Sequence, residues 1–381
     1  WKAEHCKRKG DGKMNDQLEQ IRLLINETDE QLSRLLSRRM DLVAQVAKIK
    51  ETAGLPIYDP QREKRVLEQV SQSVGAEKSP YLRRVYQSLM DASKDYERAL
   101  METVSIPSQR LETAFPSRPK VACQGVPGAF SGEAARRMFP EGDLIFVHSW
   151  EDAFEKVSQG ECDFAVLPVE NSLAGSVGQV YDLLLQYRLM ISKACCLPVE
   201  QNLLALPGAT LDDINEIYSH PQGLAQCKKF CGQLPLARTI PMENTAAAAK
   251  MVAALGDIHK AAIASSYCAK IYGLQILSPN IQTAQHNTTR FVAVSRQGFH
   301  TEHANKISLV FSLPHKPGAL NQLLSQFASL DLNLTKIESR PVSEKNFEYY
   351  FYLDFSGNTS SVQIQVLMED LSKKLPGFTF L

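Results

Sequence analysis

Residues 37–50 read SRRMDLVAQVAKIK, and the placing of their charges decides how the first part of the chain folds. Leu18, Ile21, Ile25, Leu32, Leu35, Leu42, Val46 and Ile49 recur as the buried seam of a 3.5-residue helical repeat. In that register the slot after Leu35 belongs to Arg39. A guanidinium there is either a tolerated fault, its stem snorkelling along the seam, or a ligand contact. Arg39 and Lys50 stand eleven residues apart, so they share one face at a separation of about 16 Å along the axis and can bracket a small dianion. Arg22 lies on the stripe of Lys50 but 28 residues earlier, about 42 Å away. It can join the same site only from a second chain. The spacing therefore predicts an intertwined helical dimer with anion pockets between helices.

Downstream, Asp59-Pro60 and Ser79-Pro80 each put a capping side chain before a proline at the first helical position, marking helices two and three. In the third, Leu82, Val85, Leu89, Tyr96 and Leu100 form a seam that Ser93 interrupts, with Glu97 one turn on. The segment IRLLINETDEQLSRLLSRRMDLVAQVAKIK, with YDPQREKRVLE after it, closely resembles the all-helical chorismate mutase family. The resemblance implies that Arg22, Arg39, Lys50, Asp59, Glu63, Ser93 and Glu97 hold substrate, Arg22 coming from the partner chain. It implies an intramolecular rearrangement of chorismate to prephenate without a covalent intermediate. Arginines would fix the carboxylates, Glu63 and Asp59 would orient the hydroxyl and neighbouring cations, and Lys50 and Glu97 would donate to the ether oxygen as its bond breaks. Relatives often carry glutamine where this chain has Glu97. A carboxyl group donates only when protonated, so mutase turnover is expected to fall as rising pH ionises Glu97.

The 381 residues carry 42 Lys plus Arg against 42 Asp plus Glu, so no global field favours nucleic acid or an anionic membrane. Small-molecule partners are expected. No apolar run approaches the roughly 20 residues that span a bilayer, and WKAEHCKRKGDGK lacks the apolar core of a secretion signal, which reads as cytoplasmic. The eight cysteines show no CxxC pair or zinc spacing, and free thiols are expected, the Cys195-Cys196 and Cys227-x3-Cys231 pairs included. No cofactor or metal is implied. Residues 1–13, polar and without periodicity, read as a disordered extension; 14–104 as the helical domain; 105–118 as a linker; 119–299 as an α/β domain; and 300–381 as a third domain.

In the α/β block, KVACQG, DFAVLPV, INEIYSH, AAIAS and TRFVAVS read as strands alternating with helices. VACQGVPGAFSGEAA and VLPVENSLAGSVGQVYDLL join strand to helix through small residues, a geometry that offers backbone N–H groups to an anion. Ser219-His220 is not read as hydrolase chemistry, since neighbours on a strand face opposite ways and no GxSxG elbow exists. Together with YSHPQGLAQC, ENTAAAA, YGLQIL and NTTRF, these segments resemble the prephenate dehydratase family, a two-lobed fold of periplasmic-binding-protein type with its site in the interlobe cleft. The resemblance implies that Thr289 acts on the hydroxyl that prephenate loses with carbon dioxide. A threonine is no acid near neutral pH, so it is read as a hydrogen-bond donor backed by Glu170 or His220 as proton source. Asn171, Ser219, His220, Gln226 and Arg290 are the implied positioning groups.

The last block orders as β-α-β-β-α-β, the ferredoxin-like arrangement, and Ile307, Leu309, Phe311 and Leu313 alternate as in a half-buried strand. PHKPGALNQLL and LNLTKIESRP resemble the phenylalanine-sensing ACT domain. By that resemblance Gly318, Ala319 and Leu320, where a helix opens, and Asn333, Glu338, Ser339 and Arg340 form an allosteric pocket. Paired domains of this kind would bias two quaternary states, in a homodimer or a tetramer. The three resemblances imply one enzyme with chorismate, prephenate and L-phenylalanine as ligands, making phenylpyruvate under feedback inhibition. The competing readings are a dehydratase whose helical domain only dimerises, and a non-catalytic amino-acid sensor.

Overall fold

The computed structural model describes residues 2–55, 59–101, 114–284, 286–299, 301, 303–341 and 349–381; most of the expected linker lies outside them. The chain divides into two compact units, Trp1–Ile106 and Pro107–Leu381.

The first unit holds α1 (Lys2–Ala53), α2 (Pro60–Gln72) and α3 (Ser79–Met101). Helix α1 already starts at Lys2, so the stretch expected to be disordered continues it; Lys, Glu and Arg are good helix formers, and propagation is easy once a helix is nucleated. Asp59 caps α2 as expected, accepting a hydrogen bond from Arg62 N at 2.9 Å. The expected seam is corrected. Leu35 and Ile49 are 62% and 65% exposed within the single chain, whereas Val43 and Ala47 are 8% and 1% exposed. In α3, likewise, Val85, Tyr96 and Leu100 are exposed while Met90, Ser93 and Glu97 are buried. Helix α1 thus carries two apolar stripes, one against α3 and one left to solvent. Arg39 sits at the border between them, which is why the 3.5-residue register ran through it.

Among the described residues the second unit contains three sheets. Its chain runs β1 (Lys120–Gln124), α4 (Phe130–Met138), β2 (Asp143–Val147), α5 (Trp150–Ser158), β3 (Phe164–Asn171), β4 (Gly175–Ser176), α6 (Gly178–Tyr187) and β5 (Met190–Pro198) through a first lobe. A second lobe follows with β6 (Asn202–Ala205), β7 (Glu216–Ser219), α7 (Pro221–Gln226), α8 (Lys228–Cys231), β8 (Arg238–Pro241), α9 (Thr245–Leu255), β9 (Lys260–Ala264), α10 (Ser266–Tyr272) and β10 (Gln275–Ser278). Strand β11 (Thr288–Ser295) then returns to the first lobe, whose sheet orders β2-β1-β3-β11-β5; the second orders β10-β6-β9-β7-β8. In each, parallel strands form one side and antiparallel pairs the crossing point. The chain therefore passes between the lobes twice, and a cleft opens where it crosses.

Strand β12 (Lys306–Ser312), α11 (Ala319–Ser329), β13 (Leu334–Pro341), β14 (Tyr349–Ser356), α12 (Val362–Lys374) and β15 (Thr379–Phe380) follow in the expected β-α-β-β-α-β order. Their sheet, β13-β14-β12-β15, is antiparallel. Strand β12 is not half-buried, however. Ile307, Leu309 and Phe311 pack under α11 and α12, while Val310 on the opposite face joins Tyr352, Tyr181 and Val292 in the core of the first lobe. The alternation was legible; the second apolar partner was not.

No described helix is long and apolar enough to cross a membrane. The described cysteines are all unpaired, and burial pushes the Cys123 and Cys227 thiols up to about 12, which leaves them unreactive.

Candidate active sites

Between α1 and α3 two hydrogen-bonded pairs lie side by side. Arg39 Nη1 donates to Ser93 Oγ, which in turn donates to Leu89 O at 2.6 Å. Lys50 Nζ lies 2.8 Å from Glu97 Oε2. The cations are about 16 Å apart along α1 while their partners are one turn, about 6 Å, apart on α3, so two long side chains reach inward toward a common point. Ser93 and Glu97 are only 4% and 7% exposed. Glu63 on α2 takes Lys94 Nζ at 2.7 Å, and Asp91 shares that ammonium at 2.8 Å. Burial alone lowers the Lys94 pKa, but its hydrogen bonds to Asp91 and Glu63 outweigh burial and hold it above the ordinary lysine value. Lys94 carried no sequence signal, because it falls outside the apolar periodicity.

Two predicted residues stand apart within this unit. Arg22 pairs with Glu19 at 2.8 Å on an exposed turn, far along α1. Asp59 is occupied as the α2 cap.

In the second unit a cleft of about 420 Å³ is lined by Asn171, His220, Gln226 and Thr289, as expected, and also by Gln124, Ser131, Trp150, Gln201 and Asn244. No Asp, Glu, Lys or Arg is among the described residues that line it. Ala129, Val177 and Asn244, the N-caps of α4, α6 and α9, line it instead. Each helix start carries roughly half a positive charge and unpaired N–H groups, so the cleft attracts carboxylates without any cationic side chain.

Thr289 is placed by the pairing of β11 with β3, where it faces Asn171. Asn171 Nδ2 donates to Thr289 Oγ1 at 2.9 Å, and Asn171 Oδ1 accepts from Leu173 N and Ala174 N at 3.0 and 2.9 Å. His220 caps α7, its Nδ1 accepting from Gln222 N at 3.2 Å, which leaves the proton of the neutral ring on Nε2. Burial pushes the His220 pKa down, so it is a neutral N–H donor near pH 7.

Three predicted residues do not line this cleft. Ser219 is fully buried, and its hydroxyl donates to Ile263 O at 2.7 Å, pinning β7 to β9. The glycine of SHPQGL makes room for it, since a Cβ at Gly223 would lie 2.7 Å from Ser219 Oγ. Glu170 and Arg290 are cross-strand neighbours, and Arg290 turns to Asp354 of β14 at 2.6 Å. Alternation along the strands sends them to the opposite face from Asn171 and Thr289. Motif reading could not separate the two faces. Gln201 was missed because nothing in its local sequence marks it.

In the ferredoxin-like block Gly318 caps α11 with φ 82, a left-handed turn that glycine accepts without strain. Asn333 and Ser339 are exposed. Past an irregularity after Leu334, Lys336 and Arg340 of β13 face the first lobe: Lys336 Nζ donates to Ser176 Oγ at 2.6 Å, and Arg340 grips Asp182 through two bonds of 3.1 and 2.8 Å. Glu338 lies between them. Burial alone would raise its pKa, but hydrogen bonds from Ser176 and Lys336 hold it below the usual carboxylate range. No group of His, Cys, Asp and Glu among the described residues is arranged to hold a metal ion.

Comparison with known proteins finds relatives of both units. The chorismate mutase type II family model matches residues 21–98, and the prephenate dehydratase model matches residues 121–298. The bifunctional chorismate mutase/prephenate dehydratase of Aquifex aeolicus is 30% identical over 94% of this chain and 95% of its own. Arogenate dehydratase/prephenate dehydratase 1 of Arabidopsis thaliana is 41% identical over 65% of this chain and 67% of its own. The structure of a prephenate dehydratase from Arthrobacter aurescens, solved with L-Phe, superposes with a TM-score of 0.62 at 32% identity, covering 69% of this chain and 88% of that one. With a mutase in the first unit and a dehydratase in the second, the chain belongs to the bifunctional chorismate mutase/prephenate dehydratase family.

Proposed function

We propose that Arg39, Lys50, Glu63, Ser93 and Glu97 perform the mutase step, that Thr289, Asn171, His220 and Gln226 perform the dehydratase step, and that the ferredoxin-like block is an ACT domain through which L-phenylalanine inhibits the pathway. The observation that carries this is the pairing of two complementary sites in one chain. Converging cations suit a rearrangement that builds charge on an ether oxygen. A neutral cleft ringed by helix starts suits a dicarboxylate that must lose a hydroxyl and carbon dioxide. Among the described residues lining that cleft an ammonium group finds no carboxylate, which favours the keto acid prephenate over its amino-acid counterpart arogenate.

The exposed stripe of α1, with Leu18, Ile21, Ile25, Leu32 and Leu35, supports an intertwined dimer in which a second chain covers it and supplies Arg22. Chains carrying Arg22→Ala and Arg39→Ala should each lack mutase activity. Unfolded together and refolded, they should regain it, because one hybrid site then holds both arginines. Retained activity in Arg22→Ala would place Arg22 outside the site, and absence of recovery would overturn its supply by the partner chain.

Regulation is supported by β13. Of its residues implied to bind phenylalanine, Arg340 holds Asp182 and Glu338 lies beside the Lys336–Ser176 bond, and Ser176 lines the dehydratase cleft. A ligand that shifts this strand therefore acts on the cleft wall. The test follows chorismate, prephenate and phenylpyruvate together, with and without L-phenylalanine. Chorismate should pass to phenylpyruvate, and phenylalanine should suppress its formation. In Lys336→Met the uninhibited turnover should persist while several-fold more phenylalanine is needed for inhibition; unchanged sensitivity would remove β13 as the link.

A further inference from the structure

We infer that Asn287 is a positioning residue of the dehydratase, holding Asn171 so that the Thr289 hydroxyl is left to donate to substrate. This rests on the role assigned to Thr289 above. The direction of every bond follows from two backbone groups. Because Asn171 Oδ1 accepts from Leu173 N and Ala174 N, the other end of its amide must be the amino group. That amino group donates to Asn287 Oδ1 at 2.7 Å and to Thr289 Oγ1 at 2.9 Å. Its two hydrogens are thereby committed, and turning the Asn287 amide over would set amino group against amino group. Thr289 receives in this network, so its own O–H remains for the cleft that it lines.

Asn287 is 4% exposed, and its Nδ2 has no hydrogen-bond partner among the described residues. A buried amide with one unpaired end is costly to keep. The acceptor end is what the position retains. Its backbone is also fixed, since Val199 N donates to Asn287 O at 2.8 Å where the two interlobe crossings meet. Without Oδ1 of Asn287, the freed hydrogen of Asn171 has Thr288 O, now 3.4 Å away, as its nearest alternative. The amide would then rotate and release Thr289.

The test uses the full chain, with mutase turnover as the internal control of enzyme concentration and the circular dichroism melting curve as the control of folding. Asn287→Leu keeps the branching at Cγ and removes the acceptor; Asn287→Asp keeps an acceptor toward Asn171. Asn287→Leu should lower dehydratase kcat roughly tenfold with KM within about twofold, the loss of one orienting hydrogen bond. Asn287→Asp should restore most of that kcat. Thr289→Ala is run beside them. If it kept its turnover, the role of Thr289 would fall and this inference with it. If it lost turnover while Asn287→Leu matched the parent, only the positioning role would be overturned. Equal losses in the Leu and Asp variants, with KM rising, would make Asn287 a packing residue and overturn it as well.

Discussion

Thr289→Ala should lower dehydratase turnover at least about a hundredfold while leaving mutase turnover in the same chain unchanged. Prephenate loses its carboxylate as carbon dioxide and its ring hydroxyl as the ring becomes aromatic. The carboxylate supplies the electron pair, so the enzyme must stabilise the departing oxygen. Of the groups first considered as proton source, Glu170 lies outside the cleft and His220 is held neutral by burial. A strong acid is therefore not what the cleft offers. It offers a threonine hydroxyl that is 8% exposed, with its oxygen already bound to Asn171. A donor fixed before the reaction needs no reorganisation as negative charge grows on the leaving oxygen, and such donors contribute about two to three orders of magnitude. Thr289→Ser retains the hydroxyl and should keep a substantial part of the turnover, which distinguishes loss of the donor from loss of the methyl group. Phenylpyruvate formation from added prephenate measures both variants. Near-parental turnover in Thr289→Ala would falsify the assignment.

The same threonine shows what a sequence exposes and what it hides. NTTRF marked Thr289, but that motif also contains Arg290, and only the pleat of β11 decides that one faces the cleft and the other Asp354. Ser219 and His220 are a second such pair: the histidine lines the cleft, and the serine is buried against Ile263 O. Periodicity located all three helices of the first unit and Asp59 as a cap, because local spacing and capping chemistry dictate those features. Which of two apolar stripes on α1 packs inside the chain was not local. A stripe of Leu, Ile and Val suits an intrachain core and a partner chain equally well, and Val43 with Ala47 gave a weaker signal than Leu42 with Ile49. Lys94 and Gln201 escaped for the same reason: each earns its place through a partner distant in sequence.

Lys50→Gln should lower mutase turnover by about a hundredfold to a thousandfold, or about 3–4 kcal/mol of transition-state stabilisation, with dehydratase turnover retained. As the ether bond of chorismate breaks, charge accumulates on an oxygen for which the Lys50 ammonium, held 2.8 Å from Glu97, is the proposed donor. Glutamine is chosen over alanine because Glu97 is buried. Removing its partner outright would strand a carboxylate and destabilise the helices, confusing folding with catalysis. Glu97→Gln replaces the carboxylate with an amide whose oxygen accepts from Lys50 and whose N–H can donate to the ether oxygen, so mutase turnover in that variant should match or exceed the parent's. Loss of turnover in Glu97→Gln would leave Glu97 the task of holding Lys50 as an ion pair and would place the whole demand for a donor on the ammonium.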